Sequence, residues 1–106
     1  MSNADALDRM FNASAIAVIG ASSEAGKVGY SVVKNLVDGG FRGRVYPVNP
    51  SRAGEELFGC SYYPSLAGIP GPVDAAVIVV PAAAVNNAIV ACGQKGVATA
   101  VIITSG

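Results

Sequence analysis

The residues with the clearest chemical use lie in one short stretch, Gly20-Ala21-Ser22-Ser23-Glu24-Ala25-Gly26-Lys27-Val28-Gly29. Small side chains let a ligand approach the main chain, Ser22 and Ser23 offer hydroxyls, and Lys27 offers a cation. The stretch follows an apolar run and opens a helical pattern, so it ends at a helix N-terminus. Unpaired N–H groups there, with the helix dipole, favour an anion such as a phosphate. Glu24 opposes that unless it points into solvent. A second cation, Arg52, follows Asn49-Pro50 after another apolar run. The absence of His is as informative. It removes His-bound zinc, Ser-His-Asp triads and phosphohistidine chemistry from this chain. Cys60 and Cys92 are isolated and are expected to be reduced and buried, with no activating neighbour to make either a nucleophile.

Spacing separates the phosphate-binding loops. A nucleoside-triphosphate loop needs four residues between its first Gly and the Gly-Lys pair, then Ser or Thr for magnesium. Here five residues separate Gly20 from Gly26, and Val28 stands where the hydroxyl belongs. A dinucleotide loop needs Gly-x-Gly-x-x-Gly and an acid about twenty residues on. Here Ala21-Ser22 follows Gly20, and Val48-Asn49-Pro50 offers no acid. Arg52 could still accommodate a phosphorylated ribose, which keeps an NAD(P)-binding regulatory domain open as an alternative.

Several elements must position these residues. Apolar runs at 15–20, 75–80 and 98–104 suit central parallel strands covered on both faces. Arg44-Val45-Tyr46-Pro47-Val48 is a further strand, and Pro47 places it away from the sheet centre or at an irregularity. A minor strand is expected around Cys60 to Tyr62. Val28, Val32, Val33, Leu36 and Val37 mark the buried face of a helix ending at Gly39-Gly40. Val85, Ala88, Ile89 and Cys92 do the same for a second helix, closed by Lys95 and Gly96. Ser65 caps a single turn ended by Pro70, and Leu7, Met10 and Phe11 suggest a short N-terminal helix. The alternation predicts an α/β fold, a doubly wound Rossmann-like parallel sheet in the order 3-2-1-4-5. In such sheets ligands bind where strand order reverses, here between the Gly20–Val28 loop and the Pro81–Val85 loop.

Composition sets the outer bounds. The 106 residues suffice for one domain, 1–106, and 52% hydrophobic against 13% charged argues against disorder. Lys plus Arg and Asp plus Glu each total 7, so the neutral chain suits neither nucleic acid nor an anionic membrane. The N-terminus carries acids where a signal peptide needs cations, and Pro81 interrupts the longest apolar stretch. A cytoplasmic protein is expected. The chain stops after an apolar strand, where such folds continue with a helix, so a fragment of a longer protein is expected too.

Several blocks in order carry a resemblance. They include Ala15-Ile16-Ala17-Val18-Ile19-Gly20-Ala21-Ser22, Gly26-Lys27-Val28-Gly29-Tyr30 and Val45-Tyr46-Pro47-Val48-Asn49-Pro50. Tyr63-Pro64-Ser65-Leu66, Pro70-Gly71-Pro72-Val73-Asp74 and Val79-Val80-Pro81-Ala82 continue them. Over nearly its whole length the chain resembles the N-terminal CoA-binding domain of NDP-forming acyl-CoA synthetases, akin to the α subunit of succinyl-CoA synthetase. The same domain begins some acetyltransferase-fused lysine-acetylating enzymes. The resemblance implies that coenzyme A is the cofactor. The loop Gly20, Ser22, Ser23, Glu24, Ala25, Gly26, Lys27 and Val28 would contact it, and Arg52, after Asn49 and Pro50, would reach a CoA phosphate. Val80, Pro81 and Ala82 would flank the nucleotide, and Ile103, Thr104 and Ser105 would line the thiol-bearing end. It also implies an acid–thiol ligase as the parent, in which an acyl phosphate gives way to the CoA thiol and a histidine in another segment relays phosphate. This chain would bind and position CoA without turning over. Its partners would be other domains or subunits of the ligase, with a homo-oligomer left open. A stand-alone CoA sensor is a further alternative.

Overall fold

The computed structural model describes residues 13–103. In chain order it contains β1 (Ala15–Ile19), α1 (Val28–Asp38), β2 (Arg44–Val48), β3 (Glu56–Leu57), β4 (Cys60–Ser61), β5 (Ala75–Ile78), α2 (Val85–Lys95) and β6 (Thr99–Ile102). Short 3-10 turns occupy Pro50–Arg52, Leu66–Gly68 and Ala82–Ala84. Among the described residues the main sheet runs β2-β1-β5-β6, all parallel. Ile16 stands between Val45 on one side and Ala75 on the other. The expected N-terminal helix, and Thr104 and Ser105, lie outside the described residues.

The two faces of the sheet are packed differently because β1 alternates small and branched side chains, whereas β5 gives each face one alanine and one branched residue. Ile16, Val18, Ala75 and Val77 meet α1 through Val33, with Leu57 and Tyr62 closing that layer. Ala15, Ala17, Ala76 and Ile78 face α2, which answers with Ala88 and Cys92. Ile16, Val18, Ile78 and Val33 have no exposed surface, and each such burial stabilises by about 1.5–3 kcal/mol. Burial on both faces is what a central parallel strand needs, and it explains why these runs read as continuous apolar segments.

Pro47 sits in β2, opposite Val18 in the sheet's edge strand. Its carbonyl turns outward and accepts from the Tyr63 N–H at 2.9 Å, so its missing N–H also falls on the outer side.

The expected third strand is corrected. Cys60–Ser61 pairs antiparallel with Glu56–Leu57 in a separate hairpin. Its turn places Phe58 (φ 51°) and Gly59 (φ 80°) in the left-handed region, which folds the segment back on itself. What remains for the outer side of β2 is one bridge, Val48 to Tyr63. The main-sheet order is therefore 2-1-4-5 in the expected numbering, with position 3 reduced to a single residue.

Two helix faces also differ from expectation. In α1, Val33 is buried while Val28 and Val37, at opposite ends of the helix, remain 41% and 36% exposed. In α2, Ala88 and Cys92 are buried but Ile89 is 45% exposed. That helix leans on the Leu66–Gly68 turn as well as on β5 and β6, which rotates its buried stripe. The turn itself is capped as expected, the Ser65 hydroxyl accepting from the Gly68 N–H at 3.2 Å. Lys95 Nζ donates to the Ile69 carbonyl and Gly96 ends α2 in the left-handed region. At the end of α1 the left-handed residue is Gly40, at φ 82°, and Gly39 is not.

Candidate functional site

The chain leaves β1 and crosses to β2 on one side, then returns to β5 on the other, so the switch point lies between β1 and β5. Gly20 stands there. Its φ is +88°, and a Cβ on it would lie 1.8 Å from the Val79 carbonyl oxygen, so only glycine lets the two strand ends approach this closely. The approach is fixed by hydrogen bonds: Gly20 N–H donates to Val48 O at 2.9 Å, and Val79 N–H to Ile19 O at 2.8 Å.

From this point the loop runs outward to α1. Ser22 and Ser23 are half-buried, and Glu24 to Val28 are exposed. The Ser22 hydroxyl accepts from the Glu24 N–H at 3.0 Å, and the Glu24 carbonyl accepts from Lys27 at 3.3 Å. Glu24 therefore points into solvent and its charge does not close the loop. Lys27 is the N-cap of α1, in extended conformation and without a side-chain cap bond. Gly29 brings the helix down onto the loop: a Cβ there would lie 2.4 Å from Gly20 O. The first-turn N–H groups consequently face outward beside Ser22 and Ser23, the arrangement that attracts a phosphate.

The end of β2 supplies the second wall. Asn49 Nδ2 donates to Ala21 O at 3.1 Å and Asn49 Oδ1 accepts from Ser51 N–H at 2.9 Å. One side chain thus ties the β1 loop to the turn that carries Arg52. Arg52 lies 3.6 Å from Glu55 through Nη1 and Oε1, with both side chains about half exposed. After β5, Pro81 is the N-cap of the Ala82–Ala84 turn that leads directly into α2, so a second helix start reaches the same end of the sheet.

These walls enclose a groove of about 330 Å³, lined by Ile19, Gly20, Val48, Asn49, Pro50, Pro64, Ser65, Leu66, Val80, Ala84, Asn87, Ala88 and Ala91. It lies at the lower end of the ~300–1,000 Å³ typical of small-molecule sites and is mainly apolar. Of the residues singled out from sequence, Gly20, Asn49, Pro50 and Val80 line it. The Ser22–Val28 loop, Arg52, Pro81 and Ala82 lie outside its lining. Ile103 is not at the groove: its N–H bonds Ile78 O at 2.8 Å and its side chain packs with the α1-side core. Sequence reasoning did not single out the other lining residues, Pro64, Ser65, Asn87 and Ala91 among them, as groove residues. Asn87, polar and directly before the buried Ala88, was the available signal.

Burial pushes the thiols of Cys60 and Cys92 up, helped at Cys60 by the nearby Glu56 carboxylate, which disfavours the nucleophilic thiolate at both. Among the described residues no cluster of His, Cys, Asp or Glu could hold a metal ion. No helix there is long and apolar enough to cross a membrane.

A parallel sheet wound on both faces, with a groove at its switch point and helix starts beside it, defines a nucleotide-binding α/β domain of the Rossmann-like class. Comparison with known proteins narrows this further. The model of the family described as CoA binding domain matches residues 14–106. The α subunit of ADP-forming acetate–CoA ligase I from Pyrococcus furiosus is 47% identical over 102 residues, covering 94% of this chain and 22% of that subunit. The α subunit of ligase II from the same organism is 50% identical over 101 residues, covering 94% and 21%. Among solved structures, acetyl-coenzyme A synthetase 1 of Ca. Korarchaeum cryptofilum, determined with phosphate and ADP, superimposes with a TM-score of 0.85 at 49% identity. That match covers 94% of this chain and 21% of the synthetase. The chain belongs to the CoA-binding domain family, with coenzyme A as its ligand. It spans about a fifth of the length of these ligase relatives.

Proposed function

We propose that this chain binds coenzyme A at the β1/β5 switch point and presents it to the remaining domains or subunits of an NDP-forming acyl-CoA ligase. The observation that carries the reading is the groove beside Gly20, where four separate segments converge on a cavity flanked by two helix starts.

The residues suit the ligand. Ser22, Ser23, Gly26, Lys27 and Val28 offer the pyrophosphate hydroxyls, a cation and helix N–H groups. Arg52 offers the 3′-phosphate a guanidinium that, among the described residues, pairs with one solvent-exposed carboxylate. Val80, Pro81 and Ala82 give the adenine a flat apolar surface with little side-chain entropy to lose. The chain contains no His, so a phosphate relay through that residue type would reside elsewhere in the ligase. The half-exposed Ile89 and Ile102 give the domain apolar surface for those partners or for a second copy of itself. A cytoplasmic location agrees with two free cysteines.

Calorimetric titration with CoA, dephospho-CoA, NADP and ATP tests this reading. CoA is expected to bind more tightly than dephospho-CoA, and Arg52→Ala to erase that difference. Binding of NADP without CoA would overturn the assignment.

A further inference from the structure

This inference rests on Arg52 as the cation that meets the 3′-phosphate, and it concerns the residue that holds Arg52 without ligand. A chain of main-chain bonds fixes the surroundings. Arg52 N–H donates to Asn49 O at 3.1 Å, Glu55 N–H to Arg52 O at 2.9 Å, and Tyr62 N–H to Glu55 O at 2.8 Å. The same geometry sets Glu55 Oε1 3.6 Å from Arg52 Nη1, with 53% and 40% of the two side chains exposed. Tyr62 lies nearby, 4% exposed, with a hydroxyl that has no partner among the described residues. Both charges bear on that hydroxyl, Arg52 favouring its ionisation and Glu55 opposing it, so the three groups form one cluster.

The Arg52–Glu55 contact is single, long and open to water, which makes it weak and exchangeable. A phosphate monoester carries almost twice the charge of a carboxylate and accepts from a guanidinium in bidentate fashion, so it competes well for the same donors. Once it arrives, Glu55 stands beside it as a like charge. A ligand lacking that phosphate has no reason to displace the carboxylate.

We propose that Glu55 is an internal stand-in for the ligand's phosphate, and that it sets how strongly this site prefers phosphorylated over dephosphorylated CoA. The carboxylate holds the Arg52 guanidinium, two residues along the chain from the groove-lining Pro50, and is exchanged for the phosphate on binding.

The test is calorimetric titration of wild type, Glu55→Gln, Arg52→Ala and the double variant with CoA and with dephospho-CoA. Glu55→Gln should bind CoA about two- to fivefold more tightly and leave dephospho-CoA within about twofold. The gain should shrink near ~0.5 M salt and largely vanish in the Arg52→Ala background. Glu55→Ala, which also removes the carboxylate, should reproduce it, and thermal unfolding shows whether each variant is folded. Equal changes for both ligands, or none, in a protein that still prefers CoA would overturn the role of Glu55 and leave Arg52 standing. If wild type shows no preference for CoA over dephospho-CoA, the phosphate assignment of Arg52 falls, and this proposal falls with it.

Discussion

Two glycines in helices of equal length, Gly29 in α1 and Gly93 in α2, should respond oppositely to the same substitution. Replacing glycine by alanine within a helix contributes up to about 1 kcal/mol through backbone entropy, whatever the surroundings. At Gly93 nothing lies within 4 Å of the added Cβ, so Gly93→Ala should stabilise by about 0.5–1 kcal/mol. At Gly29 the Cβ would meet Gly20 O at 2.4 Å, and Ala21 Cα and Ser22 N at 3.1 Å each. These are main-chain atoms of the loop under the helix, and Gly20 is itself tied to Val48, so the contact cannot be relieved by a rotamer change. Restoring ordinary contact requires α1 and the loop to separate by about 1 Å, which forfeits packing along that interface. Overpacking of this kind costs about 1–3 kcal/mol, so after the helix gain Gly29→Ala should be destabilising by about 0–2 kcal/mol. Thermal unfolding followed by circular dichroism resolves this, because each kcal/mol moves the midpoint by about 4–8 °C in a domain of this size. Gly29→Ala should also weaken CoA binding, since the displaced loop is the proposed phosphate cradle. A Gly29→Ala protein at least as stable as Gly93→Ala would refute the close-approach argument.

Asn49→Ala removes both the bond to Ala21 O and the acceptor for Ser51 N–H and should cost about 1–2 kcal/mol in urea unfolding, whereas Asn49→Asp keeps the acceptor and should lose roughly half of that. Tyr62→Phe deletes a buried hydroxyl without a partner among the described residues and should be neutral or stabilising by up to about 1 kcal/mol at neutral pH. Burial pushes the Tyr62 phenol above its ordinary 10.0, so its neutral form contributes stability that is present below that pH and lost as pH rises past it. The advantage of Tyr62→Phe in urea unfolding should therefore widen above pH 10, and a constant gap would contradict the buried-phenol account. In timed alkylation read by mass spectrometry, half-buried Cys60 should react before buried Cys92, and unfolding in urea should remove the difference.

Much of the fold is written in local pattern. The runs that became β1 and β5 are apolar on both faces because helices cover both, and Gly20 marks the strand end where the chain must turn under close contact. Pro47 pointed away from the sheet centre, but the expected order put a further strand outside it; β2 is the edge, and the missing donor of Pro47 faces outward. The segment from Glu56 to Tyr63 was less legible, because a two-residue turn through Phe58 has no sequence marker at its first position. Phe58 holds a left-handed backbone without being glycine, its ring packed edge-on against Tyr30 at 5.0 Å. Ile89 misled in a different way. Helical spacing shows which residues share a stripe, but the Leu66–Gly68 turn decides how that stripe is rotated. The groove was half legible for the same reason: strand-end residues are announced by their strands, whereas Pro64, Ser65, Asn87 and Ala91 meet only through the packing of α2 on that turn.

The placement of Pro47 also gives the sheet a direction of growth. On the β2 side, the outward carbonyl of Pro47 and the N–H of Asn49 are both engaged by Tyr63, and Pro47 itself has nothing to donate. A strand of ordinary length finds no continuous ladder there. On the opposite side, among the described residues, β6 has β5 as its one neighbour, and Ile102 is 45% exposed. The Ile103 N–H points to β5, so by alternation the main-chain groups of Ile102 and Ala100 face away from it. One margin is finished and the other is a template. Among the described residues, a strand added beside β6 would leave the β1/β5 groove open two strands away.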